Sequence, residues 1–358
     1  MSCRRSDNSG VVTLLARLEA VVAATAAGRL LPGVRRCLLR VESRHLSDSW
    51  SGTATTHSAD PAPPAPDAAF RIASVSKMVT AATLLALVDE GRCRLDDTIG
   101  RHLPRAVVER VHRFQGRSYG HLITLRQLLD HTSGLPDFFL LPPVQEAIRG
   151  GPGAQRFTPL ALVDLAASGG APAFKPGEGR SYTDTGFVLG GLVIEAATQV
   201  PLQDAYRSYV LEPAGMSATW LESSTDPPRC DAVLPHDLDG SDISGMEPTV
   251  DWGGGGLVST TADLAAFLRA LVEGRLVSAS SWHEMTRWLS GPEGYYDQYG
   301  LGVGRYNLGD AQLIGHHGIW GAFAFWAPEL EASITGTVST ARIDRRPLLK
   351  AVVTALST

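Results

Sequence analysis

The chain is expected to fold as a mixed α/β (α+β) protein in which both ends build one sheet, flanked by helices, around an inserted and mainly helical region. Three observations lead there. The chain opens with a helical pattern followed by a strand pattern, and it closes with strand patterns followed by a helix. The stretch between them is dominated by helical spacing and turn residues. One helix near its start is apolar on every side, so it has no solvent face and belongs in the middle of a protein. On this reading residues 1–91 and 251–358 form the sheet domain and residues 92–250 the inserted helical domain.

Val11, Leu14, Leu15, Leu18, Val21 and Val22 recur at helical spacing. Arg4 and Arg5 precede them, as in a secretory signal, but Arg17 and Glu19 interrupt the apolar run. An amphipathic helix packed on the fold is expected instead, and with it a cytoplasmic protein. Gly28 and the Leu31-Pro32-Gly33 turn lead into a strand over Val34–Val41. Residues 58–68 are rich in Pro and Ala and resist helix, giving an irregular connection. The all-apolar helix follows, carrying Val75, Met78, Val79, Ala82, Leu84, Leu85, Leu87 and Val88, with Gly91 placed to end it. Thr124 and Gln127 fit a capping box that opens a short helix. Further helices are expected over Pro159–Ser168 and Gly186–Thr198. Thr260 and Asp263 match a second capping box, opening a helix over Ala262–Glu273 that stops at Gly274. Gln312–Ile314, Ala322–Ala327 and Ser333–Ser339 read as strands, and Leu348, Leu349, Val352, Val353 and Leu356 as a closing amphipathic helix.

Composition narrows the function. The 358 residues are 44% hydrophobic with a formal charge of −5, without the basic face of a nucleic-acid binder or an uncharged apolar run long enough for a membrane span. Cys3, Cys37, Cys93 and Cys230 make neither a dense disulfide framework nor a zinc-type pair. Lysine occurs only at Lys77, Lys175 and Lys350, against many arginines. Arginine stays charged, whereas a lysine can be discharged by its surroundings, so a lysine inside an apolar helix is notable.

Ser74 and Lys77 stand in an S-x-x-K arrangement at the opening of that helix, on one face and about 5–6 Å apart at Cβ. Burial and the positive end of the helix dipole are both expected to push the Lys77 pKa down, giving a neutral amine beside a hydroxyl, an activated pair for acyl transfer. The dipole would also favour an oxyanion near the Ser74 N–H. A capping serine with a surface lysine is the plainer reading, but surface lysines do not lie in all-apolar helices.

Phe70–Lys77 (FRIASVSK) resembles the nucleophile segment of the penicillin-recognising serine hydrolases, and most closely the branch of class C β-lactamases, D-alanyl-D-alanine peptidases and family VIII carboxylesterases. LRQLLDHTSGL at 125–135, PGEGRSYTDTGF at 176–187, EPAGM at 212–216, GGGLVSTTAD at 254–263 and GHHGIWGAF at 315–323 match it in order. The resemblance runs from about residue 15 to the C-terminus and implies a β-lactamase/transpeptidase-like fold with an antiparallel sheet. It casts Tyr182 as the tyrosine of the Y-x-N motif, a proton relay whose phenol, held near an ammonium, is expected to have a lowered pKa. Asp184 departs from that motif's asparagine: it either favours the ammonium form of Lys77 or turns away into its loop. His316-His317-Gly318 stands where the family has Lys-Thr-Gly, so His316 replaces a permanent cation, a change frequent among esterase members, and the Ile319 N–H is implied as the second oxyanion donor beside that of Ser74.

The paired histidines have no third ligand at a recognisable spacing, so no metal is expected, and no pattern calls for a cofactor. Gly253–Gly256 lacks the Lys-Ser/Thr of a phosphate loop and suits close backbone approach. Phe138, Phe139, Trp252, Tyr295, Tyr296 and Trp320 are candidates for an acyl pocket, with Phe138, Trp252 and Trp320 placed foremost. No G-x-S-x-G elbow is present. The expected protein is thus a serine acyl hydrolase, or an acyltransferase if a small alcohol or amine replaces water as acceptor. Its partner is a small-molecule acyl substrate, with no nucleic acid and no membrane; the sequence assigns no oligomeric state. A D-amino-acid-type peptidase or weak β-lactamase is one rival and a catalytically silent scaffold another, the latter resting on Asp184 alone.

Overall fold

The computed structural model describes residues 8–44, 46, 49–58, 60, 62–151, 153–224, 233–291 and 294–358. Arg4, Arg5, Cys3 and Cys230 lie outside them; Cys37 and Cys93 are free and buried.

Eight strands form one antiparallel sheet: β1 (Arg36–Ser43), β2 (Ser49–Thr55), β3 (Leu289–Ser290), β4 (Gln298–Tyr299), β5 (Gly304–Leu308), β6 (Ala311–His317), β7 (Ala322–Ala327) and β8 (Ala332–Thr337). Their order is β3-β4-β5-β6-β7-β8-β1-β2, so the two ends of the chain meet where β1 pairs with β8, Leu38 opposite Thr337 and Val41 opposite Ile334. The expected strands are present within a few residues. The first lies at Arg36–Ser43 rather than Val34–Val41 because Val34 closes a turn onto the Leu31 carbonyl at 3.1 Å. β2 and β5 carried no clear signal: β2 is small and polar at an edge, partly exposed at every position.

Leu14, Leu18 and Val22 of the opening helix Asn8–Ala26 and Leu348, Leu349 and Val352 of the closing helix Arg346–Ser357 pack on one face of this sheet, against Leu39, Phe325 and Ile334. The other face meets the larger core around helix Ser76–Asp89, whose residues are buried almost all round, Lys77 included. This helix ends as expected, with Gly91 at φ +71°. Helix Thr185–Thr198 lies against it, with Gly190 facing Thr80 and Leu84. Thr124 and Gln127 make the expected capping box. At Thr260 only half the box forms: its hydroxyl accepts the Asp263 N–H at 3.2 Å, but the Asp263 carboxylate turns to Ala218 N–H and Thr219 hydroxyl instead.

A small second sheet places Ser74. Phe70–Arg71 pairs with Leu257–Ser259, which pairs with Trp220–Leu221. The chain then enters a 3-10 turn, Ala73–Val75, and runs on into helix Ser76–Asp89. No single described helix is long and apolar enough to cross a membrane.

Candidate active site

Ser74 sits in that 3-10 turn, directly after Ala73, which holds φ at +46°. A residue with a side chain in the left-handed region is strained, and here the surroundings hold it there. Strand β6 passes so close that a Cβ on Gly318 would lie 2.2 Å from the Ile72 carbonyl and 2.9 Å from the Ala73 side chain. The glycine of His316-His317-Gly318 is therefore what lets the end of the strand reach the Ser74 turn. Gly255 does the same from below, where a Cβ would meet the Asp251 carboxylate and lie 3.2 Å from the Ala73 backbone. Close backbone approach, not phosphate binding, explains the glycine run.

Lys77, one turn on, is fully buried, and its ammonium makes three hydrogen bonds: to Ser74 Oγ at 3.0 Å, to the Gly254 carbonyl at 2.8 Å and to Asp184. Burial pulls its pKa down, but the charges of Asp184 and Asp251 and the Asp184 hydrogen bond outweigh that and raise it. The expected discharged lysine is thus corrected to an ammonium, because a carboxylate stands where the family pattern has an amide. Of the two orientations open to Asp184, it takes the one toward Lys77.

Tyr182 closes the group from the far side. Its phenol lies beside Ser74 on the cavity wall, and its ring centre is 5.1 Å from Lys77 Nζ. Burial and the Asp184 charge raise its pKa well above the usual phenol value, so the expected lowering is also reversed. His131 fixes the Tyr182 segment: its carbonyl accepts Ser181 N–H at 3.0 Å, its Nδ1 accepts Thr183 N–H at 3.3 Å, and its ring packs 4.3 Å from that of Tyr182. Tyr295 stacks on Tyr182 at 4.7 Å, nearly parallel.

His316 is buried behind this wall rather than on it. Its Nδ1 lies 2.7 Å from the His317 carbonyl, and a carbonyl only accepts, so Nδ1 carries the proton and Nε2 accepts from Tyr299 at 3.0 Å. Burial, with Lys77 nearby, lowers its pKa to about 3. It is a neutral hydrogen-bond bridge, and it is His317 that lines the cavity. Ile319 also lines it; its carbonyl accepts from Arg342 N–H at 2.9 Å, while its own N–H has no protein acceptor among the described residues. Buried Arg345 holds this turn by donating to the carbonyls of Gly318 and Gly321.

The resulting cavity is about 980 Å³ and is lined by Ser74, Tyr182, Asp184 and Ile319 together with Asp137, Asp251, Phe139 and Tyr295. The expected acyl pocket is corrected. Phe138 is wholly buried in the core, Trp252 packs where Gly191 leaves space for it, and Trp320 is buried against Phe139; none of the three faces the cavity. Asp137 and Asp251 had no part in the sequence reading. Each follows or precedes a matched segment closely, and that adjacency was the available signal.

The family model for beta-lactamase matches residues 10–355. Among solved structures, the chain is similar to a D-stereospecific amidohydrolase from Streptomyces sp., at TM-score 0.79 and 31% identity over 95% of this chain and 97% of the other. It is also similar to the D-amino acid amidase of Ochrobactrum anthropi SV3 in complex with L-phenylalanine amide, at TM-score 0.81 and 25% identity over 96% and 98% of the two chains. A D-aminopeptidase from Cereibacter sphaeroides is 29% identical over 69% of this chain and 45% of its own length. The chain spans about half the length of the curated relatives it matches.

Proposed function

Since the chain belongs to the beta-lactamase family, we propose that it is a serine acyl hydrolase in which Ser74 attacks an ester or amide carbonyl and carries the acyl group as a covalent intermediate. The single observation that carries this reading is the hydrogen-bonded run from Ser74 Oγ to Lys77 Nζ to Asp184, with Tyr182 beside Ser74 on the same cavity. In the resting state Lys77 is an ammonium and donates to Ser74 Oγ, so it is not itself ready to take a proton. Passing one of its protons to Asp184 turns the ion pair into a neutral pair, an exchange that a dry site makes less costly because it removes two buried charges. The amine then accepts the Ser74 proton as the Oγ–C bond forms. The N–H groups of Ser74 and Ile319 hold the oxyanion. On collapse the leaving group departs with a proton delivered through Tyr182, and water attacks the acyl-enzyme by the same route in reverse.

Amides stand beside esters as substrates because the Streptomyces and Ochrobactrum relatives are named as an amidohydrolase and an amidase. Their names also support a second reading, hydrolysis next to a D-residue. Intact-mass spectrometry after incubation with p-nitrophenyl acetate and butyrate tests the proposal. A transient adduct of the acyl mass with release of p-nitrophenol is expected, both lost in Ser74→Ala. Absence of adduct and turnover across esters, D-peptides and β-lactams would favour a silent scaffold.

A further inference from the structure

One of the three hydrogen bonds of Lys77 goes to a backbone carbonyl, that of Gly254 at 2.8 Å, and this partner constrains the amine as the other two do not. Ser74 Oγ accepts or donates, and the Asp184 carboxyl does either according to its protonation, whereas a carbonyl only accepts. Once Lys77 has passed a proton to Asp184, the amine keeps two N–H groups and one lone pair. Turning about Cε–Nζ aims the lone pair at any one of the three partners. Toward the Gly254 carbonyl it would meet another lone pair, so that carbonyl retains an N–H in both protonation states. Two places are left for the lone pair: Asp184, where a proton departs, and Ser74, where the next is collected.

The Gly254 carbonyl must therefore stay in place, yet it belongs to Gly253–Gly256, four residues with no side chain to pack and the greatest backbone freedom. Three polar side chains of helix Ser76–Asp89 hold this stretch. Ser76 Oγ accepts the Leu257 N–H at 3.2 Å, Lys77 donates to Gly254, and Thr80 Oγ1 donates to the Gly253 carbonyl at 2.7 Å. A buried helical threonine ordinarily turns its hydroxyl to the carbonyl four residues back, as Thr83 does to Val79 at 2.9 Å. Thr80 lies 3.3 Å from the corresponding Ser76 carbonyl and closer to Gly253. Behind it stands Tyr206, fully buried, its hydroxyl 2.6 Å from Thr80 Oγ1 and without another hydrogen-bond partner among the described residues. The single Thr80 hydroxyl hydrogen is engaged by a carbonyl, so Tyr206 is the donor, and the order runs from Tyr206 O–H to Thr80 O–H to the Gly253 carbonyl. Burial raises the Tyr206 pKa and keeps that proton in place. Tyr206 ends helix Leu202–Tyr206 where the chain widens into a π turn, Arg207–Leu211, a rare element often found at functional sites.

Resting on the serine acyl-enzyme reading, we infer that Thr80 and Tyr206 are positioning residues for Lys77: their hydroxyl relay fixes the Gly253–Gly254 backbone, and the Gly254 carbonyl in turn holds the amine with its lone pair free to face Ser74 Oγ. The Ser74 proton then passes to Lys77 Nζ as the Oγ–C bond forms, while Asp184 keeps the proton it received. Neither Thr80 nor Tyr206 lines the cavity, so the relay acts on the rate of acylation and not on substrate binding.

The test follows single-turnover acylation of Ser74 by p-nitrophenyl butyrate, with urea denaturation beside it. Thr80→Val keeps the size of the side chain and removes the hydroxyl, Thr80→Ser keeps the hydroxyl, and Tyr206→Phe removes only the far donor. Thr80→Val is expected to lower the limiting acylation rate about 10-fold at an unchanged half-saturating concentration. Tyr206→Phe is expected to lose less, and Thr80→Ser to keep most of the rate. The Lys77 ammonium also loses a fixed acceptor in Thr80→Val, so the alkaline rise of the acylation rate is expected at lower pH. A Thr80→Val enzyme that is less stable in urea but keeps the wild-type limiting rate and pH profile overturns the proposal, since a merely structural hydroxyl gives that result. A Thr80→Ser enzyme as slow as Thr80→Val overturns it too. Should Thr80→Val fail to fold, Tyr206→Phe decides on the same two readings. If intact-mass spectrometry finds no acyl group on Ser74 of the wild type, the serine acyl-enzyme reading falls and the positioning role with it; wild-type acylation unaltered in the variants removes the positioning role alone.

Discussion

Two walls of one cavity solve the problem of buried polar groups in opposite ways. The tyrosine–histidine wall is neutral and closed on itself. His316 bridges Tyr296 and Tyr299 with its two ring nitrogens, and Tyr306 reaches both His317 Nδ1 and the Tyr295 carbonyl. The acidic floor is open, with Asp137, Asp184 and Asp251 around a lysine whose donors are already taken and one buried Asp251 oxygen unpartnered. A closed network rigidifies and needs no ligand. An open one breaks the usual pairing rule, as functional sites do. The difference assigns support to the wall and chemistry to the floor.

Substituting one member on each side is the strongest way to break that division. Asp184→Asn removes the carboxylate that keeps Lys77 charged, so the Lys77 pKa should fall and the alkaline rise of kcat/KM should move to lower pH. The proton acceptor paired with Lys77 is lost as well, and the limiting rate should drop by about 10²-fold. A pH–rate profile of ester hydrolysis reads both effects, and an unchanged profile would disconnect Asp184 from the reaction. His316→Phe should act the other way round. It leaves the Tyr296 and Tyr299 hydroxyls without their imidazole partner, costing about 2 kcal/mol of stability, while the pH–rate profile keeps its shape. Urea denaturation beside the same kinetics checks it. A larger loss of rate in His316→Phe than in Asp184→Asn would reverse the assignment of the two walls.

The sequence made the Ser74–Lys77 pair easier to find than the floor, for physical reasons. A helix apolar on every side can only be buried, so Lys77 inside it had to be special, and the segment matches carried Tyr182 and Ile319. Strands β6, β7 and β8 were readable because they hold apolar runs at strand length, whereas edge strand β2 is half-exposed along its length. Protonation states were beyond reach. Lys77 has a raised pKa because Asp184 points inward, and Tyr182 because of its burial and the same charge; no spacing encodes either that burial or that rotamer. In the Phe138-Phe139 pair, adjacency hides which ring faces the cavity; the fold turns Phe139 to it and Phe138 to the core. Asp137 and Asp251 become neighbours of Asp184 only through tertiary packing, the latter because Gly254 and Gly255 carry no side chains.

The two walls should also respond to pH with opposite sign, a smaller effect that sharpens the same contrast. Burial and the Asp184 charge raise the Asp137 carboxyl to about 7, against about 3.9 in an unfolded chain. Between those values the native state holds a proton that the unfolded chain has released, so the stability contributed by Asp137 is full at low pH and is lost as pH rises through that window. Lys77, Asp184 and Asp251 face the group and remain in place in Asp137→Asn, so the difference between wild type and variant isolates it. Burial instead lowers His316 to about 3, against about 6.5 unfolded. Its contribution is present above pH 6.5 and is lost as pH falls toward 3. Melting temperatures from pH 4 to 8 should therefore show the wild-type advantage over Asp137→Asn shrinking as pH rises, and the advantage over His316→Phe growing. Slopes of the same sign would mean that the floor is as well balanced as the wall, and the contrast between them would fall.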